Sequence, residues 1–272
     1  MKNTYQLQIP KELEQYRSIL EESVKPYVKV SGTLAAETTL FESKFGGHPY
    51  LPIDQEHPKD SNGQPMMLLA QLNFEEMPHI EYMPQNGMLQ FFVSADDELF
   101  GADFDHPTDQ KDFRIMYHST ITEDLTKVIT DFSYLNTLDS EDFIIPEAAK
   151  LKFELNYQPV TSRDYRFEMI FNDNIDWEQI VDEENNTELG ELYDDLCEEQ
   201  GHKIGGYPFF TQTDPREWEE KYQQHDILLL QIDTDDSLNI MWGDSGVANF
   251  FIKKDDLLNL DFSNVIYNWD CY

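Results

Sequence analysis

The sequence predicts an α+β fold made mainly of antiparallel strands, with an internal duplication into two related β-rich units and a few peripheral helices. Most apolar runs have strand length and are bounded by turn residues, whereas few stretches show the spacing of an amphipathic helix. Several motifs also recur in the same order, separated by 159 residues between Gly46 and Gly205 and by 160 between Gln71 and Gln231. Chance matches would not hold such a register, so a duplicated unit is predicted.

Three pairs of motifs mark the duplication. SKFGGHPY at 43–50 corresponds to HKIGGYPF at 202–209, LLAQL at 68–72 to LLLQI at 228–232, and FFVSADDEL at 91–99 to FFIKKDDLL at 250–258. Neither unit is expected to bury enough apolar surface on its own. We therefore predict a single globular domain over 1–272, built from repeats at roughly 41–118 and 200–268 that are joined by an acidic α/β region, 119–199.

Helices and strands follow from the same patterns. Leu13, Tyr16 and Leu20 form one apolar stripe between Pro10 and Pro26, which predicts an N-terminal helix. A leucine stripe predicts a helix over about 189–196, and a short helix is expected near 123–129. Strands are predicted at 27–30, 66–74, 88–93, 112–118, 151–160, 165–171, 227–232, 238–242 and 247–252, with 151–160 and 165–171 forming a hairpin.

Composition argues against several classes of partner. The chain has 19 Lys or Arg and 54 Asp or Glu among 272 residues, a net charge of -35. Nucleic acids and anionic membranes are bound through Lys and Arg, so neither is an expected partner, whereas a basic protein is. Cys197 and Cys271 suggest no disulfide framework, and we find neither a signal peptide nor an apolar run of membrane-spanning length. A cytoplasmic protein is expected.

The chain resembles the YwqG-like family, a bacterial family of uncharacterised proteins. The resemblance is carried by SKFGGHPYLP at 43–52, LLAQLNF at 68–74, NGMLQFF at 86–92, LLLQIDTDD at 228–236 and WGDSGVANFFI at 242–252. It spans roughly residue 43 to the C-terminus and implies a fold with duplicated β-rich units. The family carries no established activity, so no catalytic residue is transferred from it.

No pattern in the chain meets the requirements of a catalytic or metal site. The turn Gly243-Asp244-Ser245-Gly246 resembles the nucleophile loop of trypsin-like proteases, but Val247 replaces that family's second glycine and its histidine motif is missing. The aspartates at 233–244 lack the glycine and the closing glutamate of an EF-hand loop. The seven histidines show no i,i+4 pair and no neighbouring cysteine. We predict no catalytic residue, no metal and no cofactor.

The candidate binding residues are mostly those that the two motif copies share. Gln71 and Gln231 each interrupt an apolar strand, and a buried amide needs hydrogen-bond partners; it either clamps the nearby glycine backbone, which is favoured, or contacts a ligand. A lysine before paired glycines either contacts an anionic ligand or pairs with local carboxylates, and pairing is favoured in so acidic a chain. The remaining candidates are Lys44, Gly46, Gly47, Lys203, Gly205, Gly206, Trp242 and Asp244.

Two functions from different classes remain. In the leading hypothesis the chain is a non-catalytic binding protein, like an immunity or inhibitor protein, whose acidic surface holds a basic protein. The tract 173–199, which has no Lys or Arg, would supply that surface. In the alternative it is a small-ligand-binding protein or enzyme with a pocket between the two repeats, at the Gly-Gly bends. A deep cleft lined by Lys44, Lys203, Gln71, Gln231 and Trp242 would favour the alternative.

Overall fold

The apolar runs of strand length form one large antiparallel sheet. Two of them are buried along their whole length, although each mostly apolar run contains one amide side chain. The computed structural model describes residues 7–138, 143–171, 175–197 and 200–272. The strands in these ranges are β1 (Lys25–Leu34), β2 (Lys44–Phe45), β3 (Met67–Asn73), β4 (Met88–Val93), β5 (Phe113–His118), β6 (Ala149–Gln158), β7 (Ile180–Asp182), β8 (Thr187–Glu188), β9 (His202–Gly205), β10 (Ile227–Asp233), β11 (Val247–Ile252) and β12 (Val265–Asp270).

The order of the strands places a long pair at the centre of the sheet. Ten strands follow one another as β12-β11-β10-β9-β1-β6-β2-β3-β4-β5, while β7 and β8 form a separate two-stranded sheet. In the central pair, β1 runs antiparallel to β6 from Lys25 opposite Gln158 to Leu34 opposite Ala149. Outward from this pair, β9 to β12 succeed one another on one side and β2 to β5 on the other.

The sheet curves until its two edge strands approach each other. The rings of Phe113 in β5 and Tyr267 in β12 lie 5.2 Å apart between centroids. The connection between β4 and β5 covers β12, because the Tyr267 amide donates to the carbonyl of Pro107 at 2.9 Å and the Tyr267 hydroxyl donates to the carbonyl of Phe100 at 3.0 Å. The result is a nearly closed, barrel-like sheet whose edges are shielded from pairing with another chain.

The main core fills the interior of this sheet and draws on both ends of the chain. Phe91 of β4 packs against Phe250 of β11 with ring centroids 4.8 Å apart, and Phe250 stacks on Tyr267 at 4.6 Å. All three side chains are buried. Aromatic pairs at such distances stabilise a core beyond the burial of their area, so the two β-rich halves depend on each other.

The helices are short and peripheral. Those of α type are α1 (Arg17–Ser23), α2 (Phe167–Phe171), α3 (Leu189–Cys197), α4 (Pro215–Trp218) and α5 (Lys254–Leu258). Short 3-10 helices occur at Lys11–Tyr16, Phe74–Glu76, Leu125–Lys127, Ser133–Thr137, Glu220–Tyr222 and Asp236–Leu238. The N-terminal helical segment, α2 and α3 share a second apolar cluster outside the sheet. No helix in the described part of the chain is long and apolar enough to cross a membrane.

A mainly antiparallel β fold with few helices is confirmed, but the predicted strand at 165–171 is wrong. Residues of that segment form α2, and β6 pairs with β1 and β2 instead. The Asp164 carboxylate accepts from the amide of Arg166 at 2.9 Å, and the Asp164 carbonyl accepts from the amide of Phe167 at 2.8 Å. Phe167 and Phe171 then pack on one helix face with their rings 4.9 Å apart. Asp164 caps the start of this helix, whereas the alternating apolar residues predict a strand.

A second predicted strand, at 238–242, is also wrong. The segment begins with the end of the 3-10 helix Asp236–Leu238 and retains a single β-bridge between Asp235 and Ile240. Asn239 has a φ of 56°, in the left-handed region that asparagine tolerates better than most residues. This residue turns the chain where a strand would continue. The helix expected at 123–129 is reduced to one 3-10 turn, Leu125–Lys127.

Candidate functional site

Both Gly-Gly motifs fold into a sharp bend at the end of a short strand. Gly46 and Gly47 follow β2 with φ values of 61° and 72°, and Gly205 and Gly206 close β9 with φ values of 73° and 70°. Residues with a Cβ are strained at such angles, so glycine is required at each position for conformational reasons. The bends lie on opposite sides of the central β1–β6 pair.

The two predicted glutamines hold these bends. Gln71 Nε2 donates to the carbonyls of Leu40 and Glu42, both at 2.9 Å, and its Oε1 accepts from the amide of Tyr50 at 2.7 Å. Gln231 Nε2 donates to the carbonyl of Gly201 at 2.7 Å, while its Oε1 accepts from the amide of Phe209 at 2.8 Å. Both side chains are fully buried. Each amide therefore joins the chain before a bend to the chain after it.

The two predicted lysines are also buried. Lys44 Nζ donates to the carbonyl of Thr39 at 2.6 Å. Burial lowers the pKa of Lys44 to about 8, and the carboxylates of Glu42 and Glu76 act in the opposite direction. Lys203 Nζ lies 3.3 Å from both Gln158 Oε1 and the carbonyl of Tyr207. Both ammonium groups thus contribute hydrogen bonds to the backbone around their own bend.

Trp242 and Asp244 lie elsewhere. Trp242 is fully buried against Phe100 and Tyr267, at ring-centroid distances of 5.9 and 6.5 Å. Asp244 is exposed in the turn that precedes β11, and its carbonyl accepts from the C-terminal amide of Tyr272. This turn meets β10 at its last residues, whereas the Gly205–Gly206 bend lies beside its first residues. The fold therefore does not unite the ten predicted residues in one cleft.

A cavity of about 290 Å³ opens beside the second bend. We name it the junction pocket, because its walls come from β1, from the loop before β4, and from the second β-rich half. Its lining includes Lys25, Ile80, Tyr82, Gly206, Leu228 and Lys254. Pro26 and Met83 add apolar wall, while Glu81 and Asp226 contribute carboxylates. The pocket combines an apolar surface with a few charged groups, as small-ligand sites do.

Lys25 is a half-buried charged residue in the wall of the junction pocket. Its Nζ lies 4.4 Å from the centroid of the Tyr207 ring, and among the described residues it makes neither a hydrogen bond nor an ion pair. The pKa of Lys25 is lowered to about 8, chiefly by burial and also by Arg166, while Asp164 and Asp226 act in the opposite direction. Lys25 is half-buried in the pocket wall, so its amine can be reached by a molecule that enters the cavity.

Tyr82 and Lys254 join the two halves of the chain beside Lys25. Lys254 Nζ lies 4.0 Å from the centroid of the Tyr82 ring, a distance typical of a cation–π contact. Tyr82 has a φ of 73°, which is uncommon for a residue with a side chain and persists only where the surroundings enforce it. The contact connects the first residue of α5 to the loop before β4.

Sequence reasoning identified only part of this pocket. Gly205 and Gly206, predicted from the repeated motif, do line it. Lys25, Tyr82 and Lys254 were missed, because they come from three distant segments. The only local signal at Lys25 is its place directly before Pro26 at the start of a predicted strand, and this does not indicate a pocket. Within the described ranges, no group of three or more His, Cys, Asp or Glu side chains is arranged to hold a metal.

The fold and the pocket define a β-rich protein with a barrel-like antiparallel sheet and a small cavity between its halves. Residues 43–271 match the family model described as a domain of unknown function (DUF1963), and the chain belongs to this family. This agrees with the resemblance to an uncharacterised family. Comparison with curated proteins finds no match. The family match covers the junction pocket except for β1, which supplies Lys25.

Proposed function

We propose that this protein binds a small molecule in the junction pocket. The observation that carries the proposal is the Lys25 ammonium, which lines a cavity of about 290 Å³ and has no hydrogen-bond or ion-pair partner among the described residues. A polar group in such a position gains interaction energy when a ligand supplies the missing partner. The pocket also lies at a junction between structural units, where ligand sites are common.

The surrounding residues support a ligand of modest size with an apolar part. Ile80, Met83 and Leu228 are buried and form one wall, so a ligand that covers them removes further apolar surface from water. Gly206 lets the backbone of the second bend approach the cavity without a side chain in between. These features hold for a binding protein and for an enzyme alike, and the pocket is the part that both would share.

Obstruction of the pocket tests this proposal. A fragment library is screened against the isotope-labelled chain by NMR, with the methyl groups of Ile80 and Met83 as reporters. Glu81 is exposed and lines the pocket, so Glu81→Trp places a large ring there. We expect this substitution to lower the affinity of the fragments for the pocket by about tenfold or more. Glu75→Trp is the control, because Glu75 is exposed nearby but outside the pocket lining. Fragments that bind only elsewhere would contradict the proposal.

A second candidate function is the binding of a basic protein by the acidic tract 173–199. In the described part of this tract, Asp176, Glu178, Glu183, Glu184, Glu191, Asp194 and Asp195 are exposed. None of them forms an ion pair with another described residue. Asp173, Glu198 and Glu199, which the same hypothesis includes, lie outside the described residues. Exposed carboxylates of one sign accelerate association with a positively charged surface, which favours this function.

Charge exchange tests the second candidate. Glu178, Glu183, Glu184, Glu191, Asp194 and Asp195 are replaced by Gln or Asn, and basic proteins retained from a lysate are compared at low and high salt. Loss of retention should resemble the effect of salt on the unaltered chain. The control removes six exposed carboxylates elsewhere: Asp54, Glu56, Glu75, Glu123, Glu219 and Glu220. If both variants lose retention equally, net charge alone is responsible and the tract has no special role.

We also propose that residues 41–118 and 200–268 are copies of one ancestral unit, as a YwqG-like identity implies. The two runs of strands on either side of the β1–β6 pair support this proposal. The strand that carries each glutamine also has a register irregularity at the same place, between Leu68 and Ala70 in β3 and between Leu228 and Leu230 in β10. The division into two repeats and an acidic linker is a prediction that superposition of the units would test.

A further inference from the structure

Lys25 differs from the other pocket residues in its chemistry. It is the first residue of β1, opposite Gln158, so its backbone is fixed by the central pair of the sheet. Its Nζ lies over the Tyr207 ring at 4.4 Å, and the Arg166 guanidinium lies 5.0 Å from the centroid of the same ring. A primary amine that is half-buried in a cavity wall, near a second cation, has surroundings of the kind that activate lysine as a nucleophile.

We infer that Lys25 forms an imine with a small neutral aldehyde held in the junction pocket. The inference rests on the proposed function, because it requires the pocket to admit a ligand. The Nζ lone pair attacks the carbonyl carbon to give a carbinolamine, which then loses its hydroxyl and one amine hydrogen as water. One C–N double bond replaces the C–O double bond, and neither partner is oxidised or reduced. The cavity is open to solvent, so water enters and leaves directly.

The protonation state of the amine supports this step. The pKa of Lys25 is lowered to about 8 from an ordinary value of 10.5. At pH 7 about one in ten Lys25 side chains is therefore the free amine, compared with about one in three thousand for an ordinary lysine. Arg166 stays charged through its pair with Asp164, at 2.6 Å, and so continues to disfavour protonation of Lys25.

The charge of the chain and of the pocket determines which carbonyl compound fits. The net charge of -35 repels anions during approach, and the carboxylates of Glu81 and Asp226 stand in the pocket lining. The charge of Lys254 is already engaged by the Tyr82 ring. The apolar wall of Ile80, Met83 and Leu228 remains for the body of the molecule. A neutral aldehyde with an apolar substituent satisfies these conditions better than a carbonyl compound that carries a carboxylate.

Reductive trapping tests the inference on the whole chain. The protein is incubated with benzaldehyde and cyanoborohydride, which converts an imine to a stable secondary amine, and each lysine is quantified by peptide mass spectrometry. Lys25 is expected to be modified at least tenfold faster at pH 7 than Lys59, an exposed lysine outside the pocket. The excess of Lys25 modification over Lys59 modification should be largest below about pH 8 and should shrink as the pH rises above it, because the ordinary lysine then also loses its proton. Glyoxylate, a small anionic aldehyde, should modify Lys25 more slowly than benzaldehyde.

The controls separate this inference from the proposed function. Lys25→Arg retains the positive charge but forms no imine, so modification at that site should disappear, while Lys59→Arg should leave Lys25 modification unchanged. Equal rates at Lys25 and Lys59 would overturn the inference. If fragments shift the Met83 methyl resonance but Lys25 reacts no faster than Lys59, the pocket binds small molecules without imine chemistry. A fast Lys25 reaction that favours glyoxylate would overturn the assignment of a neutral aldehyde.

Discussion

The two Gly-Gly bends share a backbone conformation and a glutamine clamp, yet only the second one borders the junction pocket. At the first bend Gly47 is exposed, and the groove beside its strand holds Glu42 and Lys150, which pair with each other at 3.3 Å. At the second bend Gly206 packs near Tyr27 and faces the cavity that contains Lys25. The repeated motif determines the bend, and the residues outside the motif determine what the bend can bind.

The difference has a simple physical origin. At the first bend the charged groups beside the strand neutralise each other on an open surface, where an ion pair contributes little and attracts no ligand. At the second bend the loop that carries Ile80 and Tyr82 lies over the strand ends and leaves Lys25 half-buried in a cavity that is open to solvent. Covering a bend with a loop from the other half of the chain is therefore what creates the pocket.

Replacement of the two glutamines that hold the bends is expected to cause the largest loss of stability. Gln71→Leu leaves the amide of Tyr50 and the carbonyls of Leu40 and Glu42 without their partner and should lower the free energy of unfolding by about 4 kcal/mol. Gln231→Leu should lower it by about 3 kcal/mol. Urea denaturation measures both. Gln85→Leu, at an exposed loop position, should change stability by less than about 0.5 kcal/mol.

Those values distinguish a clamp from a ligand contact. A glutamine that serves a ligand would be replaced by leucine at little cost to the free protein, since few backbone groups would depend on it. A loss below about 1 kcal/mol for either substitution would therefore contradict the structural role that the hydrogen bonds describe. Fragment binding in the junction pocket should be retained in Gln71→Leu, because its bend lies outside that pocket.

Alanine at the second glycine of each bend is expected to destabilise the protein no more than loss of a glutamine does, and it compares the packing around the two bends directly. A Cβ at Gly206 would lie 2.8 Å from the Tyr27 Cβ, which is held by the central strand, whereas a Cβ at Gly47 would meet Ala148 and Thr38 at 3.2 Å. Gly206→Ala should therefore destabilise by about 3 kcal/mol and Gly47→Ala by about 2 kcal/mol. Thermal unfolding at matched pH ranks the two variants.

Gly63→Ala provides the reference for backbone strain alone. Gly63 has a φ of 78°, and no atom lies within 4 Å of a Cβ built there. Its substitution should lower the free energy of unfolding by about 1 kcal/mol, the strain of a left-handed residue. If Gly206→Ala is no more destabilising than Gly63→Ala, Tyr27 can move to accommodate the added Cβ. The wall of the junction pocket is then less rigid than its packing implies.

The sequence was most informative where local pattern and burial coincide. The runs at 88–93 and 247–252 became β4 and β11 with the predicted bounds, because mostly apolar runs of this length, bounded by turn residues, favour buried strands. The constant spacing of the motifs also directed attention to Gln71 and Gln231, which are both buried beside a bend. In these cases the adjacent residues in the sequence are enough to predict that the segment is buried.

The sequence was least informative where distant segments decide the outcome. Nothing in the residues next to Lys25 indicates that Tyr82 and Lys254 will lie beside it, because that proximity follows from the strand order of the sheet. The segment 165–171 shows the same limit, since its helix depends on hydrogen bonds to Asp164 and on an aromatic cluster formed with α3. Patterns of period two and period 3.6 overlap in so short a stretch.

The central position of β1 has a consequence for biosynthesis. β1 is synthesised before both of its neighbours, so Tyr27 is unpaired until Asn156 and Gly205 follow it. Until then the nascent chain exposes a strand of ten residues that can pair with any neighbouring chain. Lys29, exposed in the middle of the strand, places a charge where such pairing would start. A charge at that place opposes pairing with a neighbouring chain until β6 and β9 have been synthesised.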